Sequence, residues 1–163
     1  MCSKLKEKMI KNMFVVSKKP VLLRDLLEAN ATFNEGMLVD PSKLNFKFLY
    51  GRSYIIFAII CIVILIPLIA ISHHIFEKIN FHFSIIAAVI FTSAVFICFD
   101  IFKAWARREL TRELIKKAWA NHFPYFAYEK YSETVEKIYD EALKNDIPKR
   151  DLEQYVLGKL VNA

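Results

Sequence analysis

Glycine is nearly absent from this chain: only Gly36, Gly51 and Gly158 occur, and no two are near one another. A P-loop or a dinucleotide-binding turn needs clustered glycines so that backbone amides can approach phosphate closely, so both are excluded. The three cysteines, Cys2, Cys61 and Cys98, follow no metal or disulfide spacing. Cys61 and Cys98 fall at different depths of two apolar runs, a poor fit for a bridge, and are read as small apolar wall residues. HExxH, GxSxG and CxxC are all missing, and no Ser-His-Asp or Cys-His arrangement has a spacing that supports it. One group of potential metal ligands exists, His73, His74, Glu77 and His82, but a ten-residue connection need not bring four side chains together. The expectation is a protein that is not an enzyme and holds no cofactor or metal.

Charge is missing only locally. SYIIFAIICIVILIPLIAIS, from Ser53 to Ser72, carries none, and FSIIAAVIFTSAVFICFD, from Phe83, carries only its last residue, Asp100. Each run is long enough to cross a bilayer, which takes about 20 mostly apolar residues. The fold class expected is an all-α integral membrane protein: a two-span helical hairpin, spans about 53–72 and 83–102, with cytoplasmic amphipathic helices at both ends. Three consecutive segments follow: 1–52, the hairpin 53–102, and 103–163.

Lys and Arg concentrate outside the hairpin. Residues 1–52 hold ten against five acids, and residues 103–163 hold twelve against ten, whereas the connection between the runs holds one of each sign. Basic residues mark the side that is not translocated, so both termini are expected in the cytoplasm. The basic start is followed only by the short patch Met13–Val16, too short for a cleavable signal. The first span is thus expected to act as an uncleaved insertion signal, with a bacterial cytoplasmic membrane as host. Arg107, Arg108, Arg112, Lys116 and Lys117 follow the second span closely and suit anionic headgroups, at about 1 kcal/mol per basic residue near the surface. Positive charge then fades: residues 118–163 hold six basic against eight acidic residues. Nucleic acid is therefore not an expected partner.

Along the chain, Leu5, Met9, Met13 and Val16 recur at helical spacing among lysines, a short basic amphipathic helix over 4–16 suited to a membrane surface. Pro20 opens a second helix with the stripe Leu22, Leu23, Leu26 and Leu27, and 32–40 reads as a loop. KLNFKFLY alternates, placing Leu44, Phe46, Phe48 and Tyr50 on one side. With no second strand in view, it is taken as an interfacial lead-in to the first span rather than a sheet. Pro67 predicts a bend. Ser84, Ala88 and Thr92 make a small-residue face for helix packing. Asp100 is expected to form a membrane-edge ion pair with Lys103, three residues on, or with Arg52.

No helix stop occurs between Phe99 and Asn121, so the second span is expected to continue as one rod. Leu110, Leu114, Ile115 and Trp119 share a face of it, and Tyr125, Phe126 and Tyr128 follow its end. Together they are the expected partner-binding surface, although the aromatic group also suits a small core. Ser132 is expected to cap a helix to about Asn145 with Val135, Ile138, Tyr139, Ala142 and Leu143 on its buried side. A last helix follows, with Leu152, Tyr155, Val156 and Leu160 in register.

The function that fits is a non-catalytic membrane subunit, scaffold or adaptor. Its partners would be the lipid bilayer and a second copy or a larger membrane complex. Two other readings remain open at this point. In layout alone, a two-span hairpin with a basic tail is similar to holin-like pore proteins, and Asp100 with Pro67 and the histidines would suit an accessory of a transporter or ion-moving complex.

Overall fold

The computed structural model describes residues 2–76 and 81–162, with side chains described for 4–67, 86 and 89–162. Among the described residues the chain forms α1 (Cys2–Met13), β1 (Phe14–Val16), α2 (Leu23–Asn34), β2 (Phe46–Phe48), α3 (Tyr50–Phe76), α4 (Phe81–His122), α5 (Tyr128–Lys144) and α6 (Leu152–Val161). It is mostly helical, and β1 and β2 pair as a small two-stranded sheet. Two compact units result: Met1–Val15 with Phe48–Ala106, and Val16–Lys47 with Arg107–Ala163. The chain visits each unit twice, so these units do not follow three consecutive segments.

In the first unit α1 packs on α3. Ile10 and Met13, one turn apart on α1, are buried, as is Phe14 at the start of β1. The Leu49 amide donates to the Met13 carbonyl (2.8 Å), and the buried Ser53 hydroxyl donates back to Leu49 O (2.9 Å). A hydroxyl one turn into a helix thus finds an acceptor within its own chain, as a buried donor must. Helix α3 runs through Pro67 without ending, although proline removes one amide from the hydrogen-bond ladder.

The sheet corrects the sequence reading. Phe14–Val16 is a strand, not the last turn of a helix, and the alternating residues around Phe46 have a partner after all. Phe and Val suit extended backbone. The pairing was hidden because its two strands lie about thirty residues apart, beyond the reach of local periodicity. The fold is therefore not all-α.

The second unit is a helical core. On α2, Leu26, Leu27, Ala29, Asn30 and Phe33 are buried. On α5 the buried set is Val135, Ile138, Tyr139 and Ala142, and on α6 it is Leu152, Val156 and Leu160. On α2 and α5 these include the i, i+3, i+4 and i+7 positions, and on α6 the i, i+4 and i+8 positions, that put one face of a helix against a neighbour. Helix α5 packs on both α2 and α6. Leu22 was expected in the α2 stripe but precedes the helix and is 66% exposed. Leu143, expected on the buried side of α5, is 57% exposed. Ser132 is not the cap of α5 either: the helix begins a turn earlier, and the Ser132 carbonyl accepts from Asn30 Nδ2 (2.9 Å).

Polar ties join these helices. Asn34 Nδ2 donates to Glu136 (2.8 Å), Lys159 to Glu141 (2.8 Å) and Lys43 to Glu28 (2.7 Å). Gly36 leaves α2 at φ +82°, the left-handed region in which a side chain is costly. Leu27 is wholly buried in this core. Leu27→Ala is expected to destabilise the full chain in detergent by about 2–5 kcal/mol, measured as a lower denaturation midpoint followed by tryptophan fluorescence.

Candidate functional site

Helices α3 and α4 are long and apolar enough to cross a membrane. Their side chains face outward: Ile55, Ile59, Ile62, Val63, Ile64 and Ile66 on α3 are 55–67% exposed, and Val89, Ile90, Phe96, Ile97 and Ile101 on α4 are 61–70% exposed. Only 6% of the apolar window within Tyr50–Pro67 and 11% of that within Val89–His122 is buried in the chain. A core helix of a water-soluble protein would bury most of such a surface, whereas these apolar stretches of α3 and α4 are mostly exposed.

Where α3 and α4 meet among the described side chains, the contact is aromatic. Tyr54 stacks on Phe99 with ring centroids 4.5 Å apart, and Phe57 lies edge-on to Phe99 at 5.2 Å and beside Phe102 at 5.5 Å. Such pairs add about 0.5–1.5 kcal/mol each beyond buried area. The i, i+3 spacing of Tyr54 with Phe57, and of Phe99 with Phe102, was the available signal, and sequence reasoning passed over it in favour of the small-residue face. Of that face Thr92 is exposed, and the side chains of Ser84 and Ala88 lie outside the described residues, as do those of His73, His74, Glu77 and His82. Cys61 and Cys98 are both free thiols.

Asp100 accepts from Lys103 Nζ at 2.7 Å, one turn along α4. Arg52 is exposed and makes no ion pair among the described residues. The Lys6 ammonium lies over the Trp105 ring, 5.5 Å from its centre.

The basic stretch meets varied fates. Arg107 donates through Nη2 to the Val39 carbonyl (2.6 Å), and its buried Nε has no partner among the described residues. The fold takes it up, so it is not left for headgroups. Its partner comes from the loop after α2, which no helix pattern could have placed there. Arg108 and Arg112 both rest on the Phe33 ring, at 5.7 and 5.8 Å from its centre. Lys116 pairs with Glu129 at the start of α5, and Lys117 is exposed.

The expected partner-binding face needs a larger correction. Leu110, Ile115 and Trp119 are 5%, 0% and 2% exposed, and so belong to the core of the second unit. Trp119 Nε1 donates to the Phe126 carbonyl (2.7 Å), and its ring meets Tyr128 edge-on at 5.3 Å. Sequence periodicity identified a greasy face but not the segment that covers it. Leu114, Phe126 and Tyr128 are half-buried, and Tyr125 is 94% exposed. Core and surface thus divide the aromatic group between them.

The Glu129 carboxyl is held below the usual carboxylate range, first by the hydrogen bond from Lys116 and then by a backbone hydrogen bond. A depressed folded value means that the tie contributes fully above the ordinary carboxylate pKa of about 4.3 and is lost as pH falls through the lower, folded one. Amide exchange in the first turn of α5, taken relative to the intrinsic rate at each pH, is expected to quicken on acidification through the carboxylate range. In Lys116→Gln this acid-dependent increment should shrink, as read by hydrogen-exchange mass spectrometry of residues 128–131.

Comparison with family models, with curated proteins and with solved structures finds no match for this chain.

Proposed function

We propose that the chain is a non-catalytic, membrane-embedded scaffold or adaptor subunit. The apolar part of α3 and α4 would sit in the bilayer as a two-span hairpin, and the second unit would meet a partner or another copy. The observation that carries this reading is the outward-facing aliphatic surface of both long helices. In water each such side chain forgoes about 1.5–3 kcal/mol of burial, whereas in lipid that loss disappears. A helix also satisfies its own backbone, as hydrocarbon requires.

The charge distribution supports an orientation with both ends in the cytoplasm, because the segment between the runs holds only one basic residue. A bacterial cytoplasmic membrane is the host that this reading carries forward. Arg108, Arg112 and Lys117 are the members of the basic stretch best placed to meet anionic headgroups, since Arg107 and Lys116 are engaged within the fold. For the partner surface, Tyr125, with the exposed edges of Phe126 and Tyr128, replaces the buried residues of α4. Tyrosine suits this role, offering rigid apolar area with a polar tip.

Two measurements test the assignment. In a Cys2→Ser background, Cys61 and Cys98 are expected to resist a membrane-impermeant maleimide in intact vesicles and to react after denaturation, and reporters fused to either end should be active only on the cytoplasmic side. Extraction of the protein by alkaline carbonate would overturn the membrane reading, and reporters on opposite sides would overturn the two-span hairpin. For the partner surface, a photocrosslinker replacing Tyr125 is expected to capture one defined partner or a second copy, while the same group replacing Trp119 captures neither.

A further inference from the structure

In the second unit, residues 17–21 form a strap between β1 and α2. It is tied down at both ends: Ser17 N–H donates to Asn45 O (2.8 Å), and the Val21 carbonyl lies 2.8 Å from His122 Nε2. Beneath it runs a groove of about 240 Å³, into whose lining Lys18 and Lys19 come from the strap and Lys117 from α4. Folding therefore brings three lysines to the lining of one groove from positions about a hundred residues apart in the chain. Ser17 and Asn121 add polar groups, and Leu44 and Leu114 supply an apolar wall.

No acidic residue lines this groove. Elsewhere in the same unit Lys43, Lys116 and Lys159 each have a carboxylate partner. Lys18, Lys19 and Lys117 make no ion pair among the described residues. Like charges gathered without a counter-charge repel one another, and a bound anion relieves that cost. A monocarboxylate would neutralise one lysine, whereas a phosphate group carries about −1.5 to −2 charges and three acceptor oxygens. Lysine also meets phosphate well as a point charge on a flexible stem.

We propose that this groove binds a phosphate-bearing anion, with Lys18, Lys19 and Lys117 around the phosphate and the Leu44 and Leu114 side receiving a less polar portion of the ligand. A soluble phosphate compound and a lipid headgroup share this chemistry. The inference does not rest on the membrane assignment, because every residue of the groove belongs to the second unit.

Lysine acylation followed by mass spectrometry tests it on the full chain in lipid nanodiscs, with Lys137 as internal reference. In discs of phosphatidylcholine alone, pyrophosphate at about ten times its Kd is expected to slow modification of Lys18, Lys19 and Lys117 roughly tenfold, as occupancy dictates, and to leave Lys137 unchanged. That result supports a soluble anion. Selective protection of the same three lysines by phosphatidic acid in the discs, whose headgroup is a phosphate monoester, with no added anion, supports the headgroup as the source. In either case Lys117→Gln should reduce the protection of Lys18 and Lys19, because the three act on one ligand. Equal modification of all four lysines under both conditions, or protection of Lys18 and Lys19 that is indifferent to Lys117→Gln, overturns the proposal.

Discussion

The chain leaves the aliphatic surface of α3 and α4 uncovered, and much else in its organisation accommodates that fact. On α3 alone, Ile55, Ile59, Ile62, Val63, Ile64 and Ile66 are more than half exposed. At about 1.5–3 kcal/mol for each large aliphatic side chain, their unrealised burial rivals the 5–15 kcal/mol that holds an ordinary domain together. Among the described residues, Tyr54 and Phe57 of α3 meet Phe99 and Phe102 of α4 through their rings. Large rings can span a gap that aliphatic side chains would leave open.

The second unit obeys the opposite rule. Its helices bury one stripe each, while Leu22, Met37, Leu38, Tyr125, Leu143 and Val161 stay exposed among charged and polar neighbours. Asn30 and Asn34 tie α2 to α5, and Lys159 ties α6 to α5. Such bonds contribute modestly on a net basis, about 0.5–1.5 kcal/mol for a neutral pair. They do set which helix faces which. The same folding absorbs Trp119, Ile115 and Leu110 into the core, so a docking partner would have to rely on Tyr125 and the edges of its neighbours.

Sequence reading succeeded where hydropathy and period are strong. The two apolar runs, the uninterrupted helix from the second run to His122, and the stripes Val135, Ile138, Tyr139, Ala142 and Leu152, Val156, Leu160 were all legible, since the geometry of a helix maps these spacings onto one face. The Asp100 to Lys103 contact was legible for the same reason, both residues lying one turn apart on a single helix. It failed at Phe14–Val16, where a strand of three residues is too short to show a period. It also failed at Leu22 and Ser132, where helix ends fell a turn away from the expected positions. For the candidate site, the residue types were visible but not their surroundings: Arg107 faces a carbonyl, and Arg108 and Arg112 share one phenyl ring.

What the amino-acid order determined by itself was most of the helices, the two runs long and apolar enough to cross a membrane, and the sign of the charge on either side of them. These are local properties, carried by neighbouring residues and by a repeat of 3.6. Only the tertiary structure decided that β1 finds β2, that the greasy face of α4 is covered from within, and that Lys18 and Lys19 arrive beside Lys117. Each of these depends on which distant segments meet, and contacts between distant segments are set by the packing of the whole unit rather than by any stretch of the chain read alone.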